Sequence, residues 1–103
     1  MSGRLTVRPK CAKLTRDTEF FGKMDPYVVV KIGSFTQTSS VHSSGGKFPS
    51  WQDSLTFNLA GEQTMEVEVW DKDKMKKDDL DGSAEVNFSY DQQVSIRHLA
   101  NLV

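Results

Sequence analysis

Met65-Glu66-Val67-Glu68-Val69-Trp70-Asp71-Lys72-Asp73 is the stretch that decides the fold. Met65, Val67 and Val69 alternate with Glu66, Glu68 and Trp70. Successive side chains of a strand point to opposite faces, so this period of two reads as a half-buried β-strand. The alternation then runs into an acidic connection, Asp71, Asp73, Asp78, Asp79 and Asp81, interleaved with Lys72, Lys74, Lys76 and Lys77.

The same period appears on either side of that stretch. Leu5 and Val7 alternate with Thr6 and Arg8, and Tyr27 to Ile32 is a β-branched run with one lysine. Phe35 to Val41 is polar and rich in Thr and Ser, as an exposed strand would be. Trp51, Leu55, Phe57 and Leu59 share one face, with Gln52, Ser54, Thr56 and Asn58 on the other. Ala84, Val86, Phe88 and Tyr90 alternate with Glu85, Asn87 and Ser89. Turn residues separate the runs: Gly22, Gly33, the Ser43-Ser44-Gly45-Gly46 cluster, Pro49, Gly61 and Gly82. Six short strands spaced in this way predict an antiparallel sandwich. Pro9 inside the first strand predicts an edge or a bulge there. Near the end, Ile96, Leu99, Ala100 and Val103 recur at helical spacing, so a short helix is expected, with Asp91 as its cap.

A chain of 103 residues suits one domain, 1–103. The net charge of -1 argues against general nucleic-acid binding, which needs a basic surface. One cysteine, Cys11, excludes an internal disulfide and, with no signal peptide in view, predicts a reducing, cytoplasmic setting. No apolar run approaches the ~20 residues that span a bilayer, so any membrane role is peripheral. No nucleophile stands with an activating base and no phosphate-cradling glycine loop is present, so the chain does not read as an enzyme.

The acids fall into two groups. Asp17, Glu19 and Asp25 lie between the first and second strands, and the second group follows Trp70. Packed antiparallel strands can bring both connections to one end of a sandwich, where the carboxylates would repel unless a cation sat among them. Calcium takes six to eight oxygen ligands and tolerates flexible loops, whereas zinc and copper prefer nitrogen and sulfur. His42, His98 and Cys11 show no ligand spacing. An EF-hand loop fails as well, because Lys76 and Gly82 occupy the places of its glycine and terminal glutamate.

On these residues the chain resembles the C2 domain, a calcium- and phospholipid-binding β-sandwich, in the small single-domain form of plants and protists. The matching motifs are Gly22-Lys23-Met24-Asp25-Pro26-Tyr27-Val28-Val29-Val30, Lys47-Phe48-Pro49-Ser50-Trp51-Gln52-Asp53, Val67-Glu68-Val69-Trp70-Asp71-Lys72-Asp73 and Asp78-Asp79-Leu80-Asp81-Gly82, with Phe57 between them. The resemblance covers about residues 3–90 and leaves 91–103 open. It implies an all-β, antiparallel Greek-key β-sandwich of about seven to eight strands. The expected C-terminal helix would leave the last strand incomplete.

Position by position, the resemblance implies Glu19, Asp25, Asp71, Asp73 and Asp79 as Ca2+ ligands, with Glu19 where an aspartate is usual. Asp17 and Asp78 fall off that register and read as solvated acids. Asp81 stands where the family has an apolar residue, and Gln52-Asp53 where it has Asn-Glu. Apolar and basic loop residues are the implied membrane contacts: Phe20, Phe21, Lys23, Lys72, Lys74, Met75, Lys76 and Lys77. Met24 is read as either such a contact or a core plug. A basic cluster near Lys31 and Lys47, used for inositol lipids in some members, is weak here, since its neighbours are Thr36, Gln37, Thr38 and His42. The implied function is calcium-dependent binding to anionic phospholipid membranes by a peripherally recruited monomer. The alternative is a calcium-independent module for protein partners on the same sandwich.

Overall fold

The computed structural model describes residues 3–14, 23–88 and 93–96. It contains β1 (Gly3–Pro9), β2 (Pro26–Ile32), β3 (Phe35–Thr38), β4 (Leu55–Leu59), β5 (Thr64–Asp71), β6 (Asp79–Asn87) and β7 (Gln93–Ile96). These form a three-stranded sheet, β4-β1-β7, and a four-stranded sheet, β3-β2-β5-β6. The chain leaves the larger sheet after β3, adds β4 to the other sheet and returns with β5 beside β2, which is a Greek-key path.

The core follows from the alternation. Leu5, Val7, Leu55, Phe57 and Leu59 of the smaller sheet join Val28, Val30, Ile32, Met65, Val67 and Val69 of the larger one in a single buried cluster. Trp51 belongs to it too, and its indole N–H donates to the Pro26 carbonyl at 3.2 Å. All four residues of β3 are exposed, as its Thr-rich composition predicts.

Two expectations are corrected. Pro9 does not mark an edge: β1 is the central strand of its sheet, and Pro9 is its last residue, where a missing N–H does least harm. Ile96 is not helical either. It lies in β7, which runs parallel to β1 from Thr6↔Gln93 to Pro9↔Ile96. The far edge of β1 offers a ladder of backbone groups, and pairing with it outweighs a weak local helical period. Asp91, Leu99, Ala100 and Val103 lie outside the described residues, as does Tyr90.

The ladder between β5 and β6 carries one irregularity. Its register passes from Val69↔Gly82 to Trp70↔Leu80, so Asp81 is an extra residue and the ladder resumes at Asp71↔Asp79.

Leu5 is fully buried in the centre of the core cluster, so Leu5→Ala should lower unfolding stability by about 3 kcal/mol. Thr36→Ala on exposed β3 should stay within about 0.5 kcal/mol of the parent. Urea unfolding of the two variants checks the contrast.

Candidate metal centre at the loop end of the sandwich

Three of the expected ligands stand on neighbouring strand ends of the larger sheet. Asp25 immediately precedes β2, Asp71 ends β5 and Asp79 begins β6, with Pro26↔Asp71 and Asp71↔Asp79 as ladder partners. Adjacent strands lie about 4.8 Å apart, so the backbones of these three acids stand side by side at one end of the sheet. Asp73 lies beyond them in the β5–β6 connection. Glu19, Phe20 and Phe21 lie outside the described residues, as does Asp17.

These strand ends are tied to one another through backbone groups. The Asp71 side chain has no solvent exposure, and its Oδ1 accepts the Asp25 N–H at 2.8 Å. The Lys72 N–H donates back to the Asp25 carbonyl at 3.0 Å. Asp25 Oδ1 in turn accepts the Ser44 N–H at 2.7 Å. Ser44 has φ 59, a left-handed backbone that a serine adopts only at some strain. The connection 39–54 is thereby tied to the acids, and it bonds again through Gly46 N–H to the Met24 carbonyl and His42 N–H to the Pro26 carbonyl.

The β5–β6 connection folds on its own acids. Asp73 Oδ1 accepts the N–H groups of Met75 at 2.8 Å and Lys76 at 3.2 Å, closing an Asx-type turn at the tip. Asp78, expected to be a solvated bystander, is instead the pin of this loop. It accepts the Asp73 N–H at 2.9 Å and the Tyr27 hydroxyl at 2.5 Å, and it faces Lys72 Nζ at 3.8 Å. It stands in a family motif but off the ligand register, and its partner Tyr27 is 51 residues away, so the sequence held no local sign of the role. Those partners set its acidity. The Tyr27 hydroxyl, the Asp73 amide and the Lys72 ammonium hold the Asp78 carboxyl below the usual range, although slight burial opposes them. Burial first, and the Asp78 carboxylate second, push the Tyr27 phenol up.

The acids turn inward and the lysines outward. Lys23, Lys72, Lys74, Lys76 and Lys77 are exposed, and Met75 at the tip is 93% exposed. Met24 is fully buried, so it is a core plug. Asp81 is buried as well.

The donors are all oxygen, which suits a hard cation such as calcium. Lys76 Nζ already lies 3.6 Å from Asp79 Oδ2 and 4.0 Å from Asp73 Oδ2, so a positive charge between these two acids is favourable. Among the described residues, no three His, Cys, Asp or Glu side chains are gathered tightly enough to hold a metal ion as they stand. The carboxylates would have to draw together around an ion.

A carboxyl with a depressed pKa stabilises the fold above its ordinary pKa, and that stability is lost as pH falls through the depressed value. Asp78→Asn should therefore lower the melting temperature by a few degrees at pH 7, with a difference that shrinks below about pH 4. Melting curves of parent and variant from pH 7 to pH 2 check this.

The chain matches the C2 domain family model over residues 3–102. It is 35% identical over 94 residues to Elicitor-responsive protein 1 of Oryza sativa subsp. japonica, covering 84% of this chain and 59% of that protein. It is 32% identical over 85 residues to 16 kDa phloem protein 2 of Arabidopsis thaliana, covering 82% and 58%. The chain thus spans about three-fifths of the length of these two relatives. Among solved structures, a C2 domain of plant Extended Synaptotagmin 1 superposes with a TM-score of 0.74 at 20% identity, covering 82% of this chain and 68% of that one. The sandwich, its motifs and these matches agree: the chain belongs to the C2 domain family.

Proposed function

We propose that this domain binds anionic phospholipid membranes in response to calcium, through the connections before β2 and between β5 and β6. The observation that carries this reading is that Asp25, Asp71 and Asp79 stand at three adjacent strand ends, next to a connection that exposes Lys72, Lys74, Met75, Lys76 and Lys77. Asp25, Asp71, Asp73 and Asp79, with Glu19, would hold the ion. A bound divalent cation supplies positive charge that carboxylates and lipid phosphates share. The chain's own part is to place the acids, to cover them with Lys23, Lys72, Lys74, Lys76 and Lys77, and to offer Met75, with Phe20 and Phe21, to the bilayer. Recruitment from the cytoplasm would be peripheral. Among the described residues no helix is long and apolar enough to cross a membrane. As a binding module of this kind the domain would need no catalytic residue.

A calcium-independent protein-interaction module is the second reading. What favours it is that the fold satisfies part of the acids by itself: Asp25 Oδ1 and Asp73 Oδ1 each accept backbone amides, and Lys76 lies between Asp73 and Asp79.

Three measurements separate the two. Co-sedimentation with phosphatidylserine vesicles should rise with calcium and fall back with chelator; no rise would remove the calcium reading. Calcium at about 100 times its dissociation constant should stabilise the fold by about 2.7 kcal/mol, on the order of 10 °C in melting temperature. Asp73→Asn should abolish most of that increase while leaving the ion-free protein as stable as before, because an amide oxygen can still accept the Met75 and Lys76 N–H groups. Lys76 competes with the ion for the same oxygens, and exposed pairs contribute about 0.2–1 kcal/mol. Lys76→Gln should therefore tighten calcium binding in solution about two- to fivefold by calorimetry.

A further inference from the structure

The outer face of the larger sheet carries its own charge pattern, away from the loop end. Val28, Val30, Val67 and Val69 are in the core, so their strand neighbours Tyr27, Val29 and Lys31 on β2 and Glu66, Glu68 and Trp70 on β5 face outward. The ladders set them in three lines across the sheet: Tyr27↔Trp70↔Leu80, Val29↔Glu68↔Ser83 and Lys31↔Glu66↔Glu85. β3 adds only Thr36 and Thr38, beside Lys31 and Val29. These strands therefore present three glutamates against one lysine. Lys31 Nζ lies on Glu68 at 3.1 Å, and among the described residues Glu66 and Glu85 make no ion pair. Like charges directly opposite one another on a sheet repel, so the Glu66–Glu85 pair favours a cation from outside. Beside the acids, two aromatic side chains are pinned. The Trp70 indole N–H donates to Glu68 Oε1 at 3.2 Å, and the Tyr27 hydroxyl donates to Asp78 Oδ2. A hollow of about 370 Å3 is lined by Tyr27, Val29, Glu68, Trp70 and Asp78, with Lys31 and Lys77 also in its wall.

We propose that this face docks an arginine-bearing segment of a protein partner. Charge complementarity sets the sign: the strands offer more carboxylates than the one lysine among them can neutralise. The aromatics set the kind of cation. A guanidinium stacks on a Trp or Tyr ring while donating to a carboxylate, which a compact ammonium does less well. Trp70 and Tyr27 are already held by Glu68 and Asp78, so little ordering is lost on contact. Spacing fits an extended segment. Its alternate side chains repeat about every 7 Å, the interval from Glu68 to Glu66 along β5, so one arginine reaches the hollow and another the Glu66–Glu85 pair. Lys31 is the chain's own cation on this face, and an incoming arginine competes with it for Glu68. An inositol phosphate needs the opposite sign, and beside Lys31 it would meet Glu66, Glu68 and Glu85. The inference rests on the protein-interaction reading, to which it gives a face and a partner chemistry, and it leaves calcium at the loop end open.

The test is titration of the intact chain with a hexa-arginine peptide, by calorimetry and NMR, in excess chelator at low ionic strength. Inositol hexakisphosphate serves as the anionic probe. The peptide should bind and move the Trp70 indole resonance, while that of Trp51, buried in the core, stays in place. Glu66→Gln and Glu85→Gln should each weaken binding about threefold, with melting temperatures at or above the parent's because a repelling pair is relieved. Lys31→Ala should tighten binding about threefold, since a competitor is removed. Lys13→Ala makes the same charge change in the connection after β1, and it should alter binding less than about twofold. No binding of the peptide would overturn the proposal, as would equal tightening by Lys13→Ala and Lys31→Ala. A Trp70 resonance that answers only to inositol hexakisphosphate, with Lys31→Ala weakening that response, would assign the face to phosphates and overturn it too. Vesicle binding with and without calcium is read separately, so failure at this face is not failure of either proposed function.

Discussion

The bond from the Asp25 amide to the Asp71 carboxylate is the contact on which the loop end of this sandwich depends. A carboxylate with no solvent exposure is expensive to bury unless its lone pairs are filled. Here one of the filling donors belongs to the residue that closes the long connection from β1, so satisfying Asp71 also fixes where β2 begins. The return bond from the Lys72 amide makes the link reciprocal. With Asp25 in place, its own carboxylate draws in Ser44 and with it the connection between β3 and β4. Three segments far apart in sequence are joined in series through two acid side chains.

The β5–β6 connection shows how one short segment carries both signs of charge without collapsing. Asp73 and Asp78 direct their oxygens into the loop's own amides and the Tyr27 hydroxyl, while Lys74 and Lys77 remain outside. The charges are close along the chain but sorted by depth. Lys74, Met75 and Lys77 are exposed, and Asp73 and Asp78 are partly buried.

Most of the architecture was legible because a strand buried on one side writes its geometry into the sequence at period two. Leu5 and Val7, Leu55 to Leu59 and Met65 to Val69 all bury the residues the alternation indicated. The acids at strand ends were legible as a group, and the family motifs supplied their register. What escaped was decided by partners remote in sequence. β7 forms because β1 has an unfilled edge, which no local window over residues 93–96 can reveal. Asp78 gains its role from Tyr27 across the sheet. Phe48 looked like one residue of a loop motif, and its exposure follows only from the pairing of 47–51 with 10–14.

The extra residue at Asp81 has a bearing on how such a domain can change over evolutionary time. In a ladder of strict alternation, adding or removing one residue between two acids would turn the second acid to the opposite face. The bulge absorbs that parity change inside β6, so Asp79 meets Asp71 at the strand end while Gly82 and Val69 keep their own register. The tip 72–78 lies beyond the Asp71↔Asp79 pair, so its length does not enter this register. A lineage could lengthen or shorten the tip between Lys72 and Lys77, and so retune which surfaces it touches, without reorienting the acids beneath it.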